Sequence, residues 1–328
     1  MPSRRSRTCS ASERHVLDLT VIENVRVCDE HHRLKMACSH PLTARPGQFV
    51  QLRCRRRAGT NSSGISQETG DNRKDDPTDR LWSEGPVLLP RPFSLAGLQR
   101  VEGQTYLEVL LRIVGRGTAW LASLRSGDGI TALGPLGNGF TLPTRPTRTY
   151  LVGGGCGLPP LIWLAESLRN AGCDVVAFCG ARSAPSLPLT RTGDPSTDPT
   201  EPRMVASEFS ASRTPVVLTT DDGSLGVRGL VSDAVRAYHS AHRFPPDELM
   251  VYTCGPEAMM RSVAEWCTVQ EIPCQVCMER LMACGIGTCQ SCVVPVRRDP
   301  SSPGFVYKLC CKDGPVFDAR DIIWASRS

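Results

Sequence analysis

RTYLVGGGCGLPPLIWLAESLRNAG occupies residues 148–172. It opens on a short apolar run that reads as a buried strand. Three glycines follow, and then a helix whose Pro159 and Pro160 fall in the first turn, where a missing N–H costs little. Strand, glycine turn and helix form the repeating unit of an open parallel sheet. The alternation continues to residue 268. DVVAFCGAR, PVVLTTDD and ELMVYTCGP read as further strands, and VSDAVRAYHSA and PEAMMRSVAEWC as helices. The fold class of residues 148–268 is therefore α/β with a parallel sheet. A Pro/Thr/Asp-rich stretch at 183–202 interrupts it and reads as a surface insertion.

Upstream, residues 15–147 have a different texture. HVLDLTVIENVRV, GQFVQLRC and TYLEVLLRIV are short β-type runs broken by Gly and Pro, the pattern of a β-barrel. Residues 55–80 are polar and almost without large apolar side chains. They cannot bury enough surface to offset their ordering entropy and read as a disordered insertion. Residues 1–14, MPSRRSRTCSASER, lack the apolar core of a secretory signal and read as a disordered extension.

The chain has 328 residues, enough for two or three domains. With 40% hydrophobic and 22% charged residues it has a globular composition. A net charge of +5 is mild, and no basic stripe with interleaved aromatics suggests nucleic acid. No apolar run approaches the roughly 18 residues of a membrane span. A cytoplasmic setting, with most of the sixteen cysteines reduced, is the expectation.

Residues 269–328 carry ACGIGTCQSC at 283–292, followed by the adjacent Cys310 and Cys311. Cys284, Cys289 and Cys292 are spaced C-x4-C-x2-C, as in plant-type [2Fe–2S] sites with a distant fourth cysteine. Gly285 and Gly287 allow the positive φ and close approach that a loop wrapped around a cluster needs. Zinc is the rival, since Cys274–Cys277 and Cys289–Cys292 both form C-x2-C pairs. QVCMERLM (275–282) reads as a strand running into the loop, and Cys274 and Cys277 themselves read as unliganded buried thiols.

Two glycine turns and two barrel motifs complete the constellation. In LVGGGCGLPPL, Gly153, Gly154 and Gly155 would let a pyrophosphate approach a helix N-terminus. The motif is not a clean G-x-G-x-x-G, because Leu158 follows Gly155 by three, and a packing turn is the alternative. The acidic residue expected about 20 positions on is replaced by Gly180, Ala181, Arg182 and Ser183, so NAD and NADP are not separated. Cys254, Gly255 and Pro256 end a strand where open sheets place ligands, although a plain strand-to-helix turn has the same residues. In RPFSLAG, an Arg and a Ser on one strand can hold a phosphate and a flavin edge. In RIVGRGTAWLASL, Gly115, Gly117 and Thr118 open a second anion-binding helix start.

In this order the motifs resemble a ferredoxin reductase-type flavoprotein. With the terminal cysteines the sequence resembles the electron transfer subunits of class 1B dihydroorotate dehydrogenase. RPFSLAG, LLRIVGRGT, LGPLGNGF, LVGGGCGLPPL, TTDDGSLGVRG, CGPEAMM, ERLMACGIGTCQSCVV and CKDGPVF carry the resemblance, between about residues 17 and 322. It implies an FAD-binding β-barrel (15–147), an NAD-binding α/β domain (148–268) and a small [2Fe–2S] domain (269–328). Arg91, Pro92, Phe93, Ser94, Leu110, Leu111 and Arg112 would line FAD, with Gly117 and Thr118 at its pyrophosphate. Gly153, Gly154, Gly155, Cys254, Gly255 and Pro256 would face NAD. Cys284, Cys289, Cys292 and Cys311 would ligate the cluster. Cys311 is preferred to Cys310 because it directly precedes the K-D-G-P run.

The implied activity is electron transfer, with no side chain acting as a general base. Electrons from the FMN of a catalytic subunit, which oxidises dihydroorotate in de novo UMP synthesis, would pass through the cluster and FAD to NAD+. The implied partner is that FMN subunit, in a heterotetramer with two of each. Two alternatives stand beside it. One is a ferredoxin–NAD(P) reductase-like subunit of another iron–sulfur flavoenzyme complex. The other is a zinc-binding interaction module on a degenerate flavoprotein scaffold.

Overall fold

The computed structural model describes residues 15–54, 89–299 and 302–324. The extension at 1–14 and the insertion at 55–80 lie outside the described residues.

The first unit is a closed antiparallel barrel. Its strands are β1 (His15–Cys28), β2 (His31–Cys38), β3 (Phe49–Leu52), β4 (Arg91–Val101), β5 (Gln104–Arg112) and β6 (Gly129–Leu136), in the order β1-β2-β5-β4-β3-β6. Period-two alternation drives closure. Leu17, Leu19 and Val21 of β1 face inward with Leu34 and Met36 of β2 and Leu107, Val109 and Leu111 of β5. Helix α1 (Arg116–Ser123) packs Leu121 against this core. The side-chain amide of Asn24 donates to the carbonyls of Leu121, Ala122 and Leu124 at the helix end, at 3.2, 3.1 and 2.8 Å.

The second unit is a seven-stranded sheet built on β7 (Arg148–Gly154), α2 (Leu158–Asn170), β8 (Asp174–Ala181), β9 (Val216–Thr220), β10 (Val227–Arg228), α3 (Val231–His242), β11 (Leu249–Cys254), α4 (Glu257–Val269), β12 (Cys274–Cys277) and β15 (Val316–Asp318). Its order is β10-β9-β8-β7-β11-β12-β15, parallel except at β15. One face buries Tyr150, Phe178 and Tyr238, whose rings meet edge-on at 5.4–5.5 Å. The other face buries Leu158, Leu161 and Leu164 of α2. β12 and β15 come from residues assigned by sequence to the cluster segment, so the sheet extends into it. Within 183–202, Leu187 and Leu189 are buried in the second core, while most of its polar residues stay at the surface. The stretch is thus more than a surface excursion, because two leucines flanking Pro188 have an apolar surface to cover.

The cysteine loop runs from β12 into a hairpin of β13 (Val293–Asp299) and β14 (Ser302–Leu309). Asn138 ties this segment to the barrel. Its Nδ2 donates to the carbonyls of Asp313 and Val316 at 3.0 and 2.9 Å, and its Oδ1 accepts from the Val316 N–H at 2.9 Å. No helix among the described residues is long and apolar enough to cross a membrane.

Candidate redox site

The cysteine loop folds tightly around its own sulfurs. Gly285, at φ +69°, turns the chain directly after Cys284. The Cys284 Sγ accepts from the N–H of Ile286 at 3.5 Å and of Cys289 at 3.3 Å. The Cys311 N–H donates to the Cys292 Sγ at 3.4 Å. The Cys284 sulfur thus sits against the Cys289 backbone, and the Cys292 sulfur against the Cys311 backbone. Hydrogen bonds from the Ser291 hydroxyl and the Cys284 backbone hold the exposed Cys289 thiol down to about 6. Burial, then the neighbouring Cys292 thiol, pushes Cys311 up to about 12. A bound cation deprotonates such a thiol outright.

This donor set fits a two-iron cluster, in which each iron takes two thiolates. Among the described residues no group of three or more His, Cys, Asp or Glu side chains is arranged to hold a single metal ion. Backbone N–H groups facing sulfur are the hydrogen bonds expected of an iron–sulfur loop. Cys310 points elsewhere. It is fully buried, its Sγ donates to the Met278 carbonyl at 3.3 Å, and burial pushes its pKa up.

The residues expected to line a flavin lie on β4, β5 and α1. Pro92 pairs with Gln51 and Ser94 with Phe49 in the β3–β4 ladder. Arg91 Nη1 donates to the Leu89 carbonyl at 2.9 Å. Arg112 Nε donates to a Glu30 carboxylate oxygen at 2.7 Å, so its guanidinium already has an acidic partner. Leu111 is fully buried in the barrel core and can offer a flavin only its backbone. Leu110 and Arg112 flank it on the opposite face by strand alternation. Beyond them, Leu110, Ala96 and Gly97 line a cleft facing Pro159 and Ile162 of α2.

Gly117 and Thr118 are buried in the first turn of α1. The Thr118 hydroxyl accepts from the N–H groups of Val114 and Gly115 at 2.9 and 3.2 Å and donates to the Gly115 carbonyl at 3.0 Å. It builds the turn and is spent in doing so. Thr118→Val is therefore expected to cost about 1 kcal/mol, because the N–H groups of the exposed Val114 and Gly115 lose their acceptor but can turn to water. It should also lower FAD retention. A thermal melt and a flavin-to-protein ratio measure the two effects, and an unchanged ratio would show that the turn does not shape the flavin site.

The two glycine turns lie side by side at the carboxyl ends of β7 and β11, with Gly153 opposite Cys254. Gly153 packs on Leu158 and Leu161, and Gly154 on the Gly180 carbonyl. A Cβ on Gly157 would stand 2.1 Å from the Cys254 carbonyl oxygen. These three glycines answer to packing. Gly155 differs, because it has φ +54° and open space where a Cβ would project, so a ligand can approach there. The start of α2 is a poorer anion site than the glycines alone suggest. Pro159 and Pro160 remove two first-turn donors, and the Leu158 N–H already binds the Gly155 carbonyl.

Several residues at this junction carry no motif signal. Cys156 lies in the glycine turn, and burial pushes it up to about 12. Glu279 keeps contact with solvent, yet the protein around it raises its carboxyl pKa by desolvation, as expected at the mouth of a concave site. Asn138 and Gln51 join it as residues found only in three dimensions.

Comparison with known proteins agrees with this geometry. The family of the iron-sulfur cluster binding domain of dihydroorotate dehydrogenase B matches residues 279–323. The dihydroorotate dehydrogenase B (NAD+) electron transfer subunit of Desulforamulus reducens is 31% identical over 85% of this chain and 87% of its own. The corresponding subunit of Bacillus caldolyticus is 36% identical over 74% and 84%. Among solved structures, that of an NADH-dependent reduced ferredoxin–NADP oxidoreductase superposes with a TM-score of 0.64 at 25% identity, covering 93% of this chain and 90% of that one. A ferredoxin NADP+ reductase from Neisseria gonorrhoeae, solved with FAD and NADP, shares the fold at a TM-score of 0.51 and 15% identity, over 78% and 94%. With relatives at 31% and 36% identity over most of its length, the chain belongs to the family of dihydroorotate dehydrogenase B electron transfer subunits.

Proposed function

We propose that this chain is the electron transfer subunit of a dihydroorotate dehydrogenase, linking the FMN of a catalytic partner to NAD+. The observation that carries the reading is spatial. The cysteine loop abuts the barrel at Gln51, whose ladder partner Pro92 belongs to the strand expected to line the flavin. Bound there, the cluster supplies single-electron transfer and FAD exchanges single electrons for the hydride that NAD+ accepts.

The chain's own residues bind and orient. Cys284, Cys289, Cys292 and Cys311 hold the cluster, and the N–H groups of Ile286, Cys289 and Cys311 face the sulfurs. Asn138 locks the CKDGP turn to the barrel, which keeps the centres at a constant separation. Arg91, Pro92, Phe93, Ser94, Leu110 and Arg112, with the Leu111 backbone, line the flavin. Gly117 and Thr118 shape the turn at its pyrophosphate. Gly153, Gly154, Gly155, Cys254, Gly255 and Pro256 frame the nucleotide. The FAD unit spans 15–147, the nucleotide sheet 148–268 and the cluster segment 269–328, the last lending β12 and β15 to the sheet. The complex is a heterotetramer with two of each subunit. Free thiols throughout the described residues support a reducing, cytoplasmic setting.

The test is co-purification with the candidate FMN subunit, followed by dihydroorotate-dependent NAD+ reduction. A stable complex with that activity is expected. Two cofactor-loaded subunits that neither associate nor reduce NAD+ would refute the proposal.

A further inference from the structure

Gln51 lies on β3, a strand whose residues are all buried. Alternation sends Val50 and Leu52 into the barrel core and turns Phe49 outward, against the C-terminal segment. Gln51 shares the outward face of Phe49. Its side chain is 1% exposed, yet its Nε2 has no hydrogen-bond partner among the described residues. Buried amides seldom go unpaired, because the lost hydration is not recovered. Its neighbour Gln48 shows the ordinary case. That Nε2 donates to the Gly137 carbonyl at 2.8 Å, and the Oε1 accepts from the Arg45 N–H at 2.9 Å.

The unpaired amide has a definite address. A Cβ built on Gly285 would stand 2.5 Å from Gln51 Nε2 and 2.7 Å from its Cδ. Gly285 directly follows Cys284, whose Sγ already collects two backbone N–H groups. Across the β3–β4 ladder, Gln51 faces Pro92. One spare donor thus stands where the cysteine loop meets the flavin strand. The absence of a side chain on Gly285 is what lets it come so close.

We propose that Gln51 donates its side-chain N–H to the sulfur shell of the [2Fe–2S] cluster on the Cys284 side. This rests on the cluster reading of the four cysteines. Gln51 is then a positioning residue that sets the potential of the centre. Reduction adds one electron and one negative charge to the cluster. A donor facing sulfur stabilises the reduced form more than the oxidised one, and so raises the potential. The residue comes from the barrel, so the FAD-binding unit helps tune a centre held by a different part of the chain.

The test uses the full chain, reconstituted anaerobically with iron, sulfide and FAD, and an EPR-monitored redox titration. Gln51→Met keeps the length and removes the donor. Gln51→Leu repeats the removal with a different shape. Either variant should keep its full iron and acid-labile sulfide. Its cluster should be about tenfold harder to reduce, a fall of ~59 mV for one electron. The flavin potential should stay in place. A loaded variant with the wild-type cluster potential would overturn the proposal, as would a shift confined to the flavin. Failure of the underlying reading looks different, since the wild-type chain would then take up no iron and sulfide.

Discussion

Cys311→Ser is expected to abolish the iron–sulfur centre, while Cys310→Ser retains it. The two cysteines are adjacent in sequence, but their side chains lead different lives. Cys311 lies beside Cys292, whose Sγ accepts the Cys311 N–H. Cys310 is as buried as Cys311, but its Sγ is engaged by the Met278 carbonyl. A serine at 311 replaces a thiolate donor with a poorly matched alcohol, and an Fe–S cluster held by thiolates does not tolerate the loss. A serine at 310 keeps a donor for the Met278 carbonyl, and about 1 kcal/mol is a fair estimate of its cost. Iron and acid-labile sulfide per chain read the difference directly. Loss of the centre in Cys310→Ser and its retention in Cys311→Ser would reverse the assignment.

The second large effect is expected at Gly157. An alanine there would place its Cβ 2.1 Å from the Cys254 oxygen and 2.5 Å from the Gly255 Cα. Both are backbone atoms, so no side-chain rotation relieves the clash. The CGP turn must move, and the end of β11 with it. A cost at the upper end of the overpacking range, about 3 kcal/mol, is expected. Gly155→Ala is the informative contrast. Its Cβ meets open space, leaving only the left-handed backbone penalty of about 1 kcal/mol. Gly155→Ala should therefore fold well yet raise the KM for NADH, whereas Gly157→Ala should lower thermal stability first. Equal melting temperatures for the two variants would contradict this division of labour.

The contrast between these glycines shows how far the sequence was readable. Apolar runs such as RTYLV and ELMVY are short, continuous and followed by helical periodicity, so the parallel sheet is legible from local pattern. The cysteine spacing is equally local. The functions of individual glycines are not, because Gly157 answers to Cys254, nearly a hundred positions away. Asn138 is the clearest case. LGPLGNGF carries part of the family resemblance, but nothing local in it shows that its asparagine clamps a segment some 175 residues downstream. Gln51 is hidden for the same reason. Other differences trace to competing local demands. Leu111 matches a flavin motif, but strand alternation turns it into the barrel core. Pro159 and Pro160 suit a helix start while removing the donors an anion would use. In 183–202, a polar composition masks two leucines with a surface to cover.

Flavin and cluster are expected to exchange electrons within this one chain. Anaerobic addition of NADH to the chain reconstituted with FAD, iron and sulfide tests it most directly, followed by optical and EPR spectra. The predicted result is bleaching of the flavin band together with the EPR signal of a reduced [2Fe–2S] centre; in Cys311→Ser the EPR signal is lost and the flavin bleaching remains. A flavin that is bleached by NADH beside a fully loaded cluster that stays oxidised would contradict it.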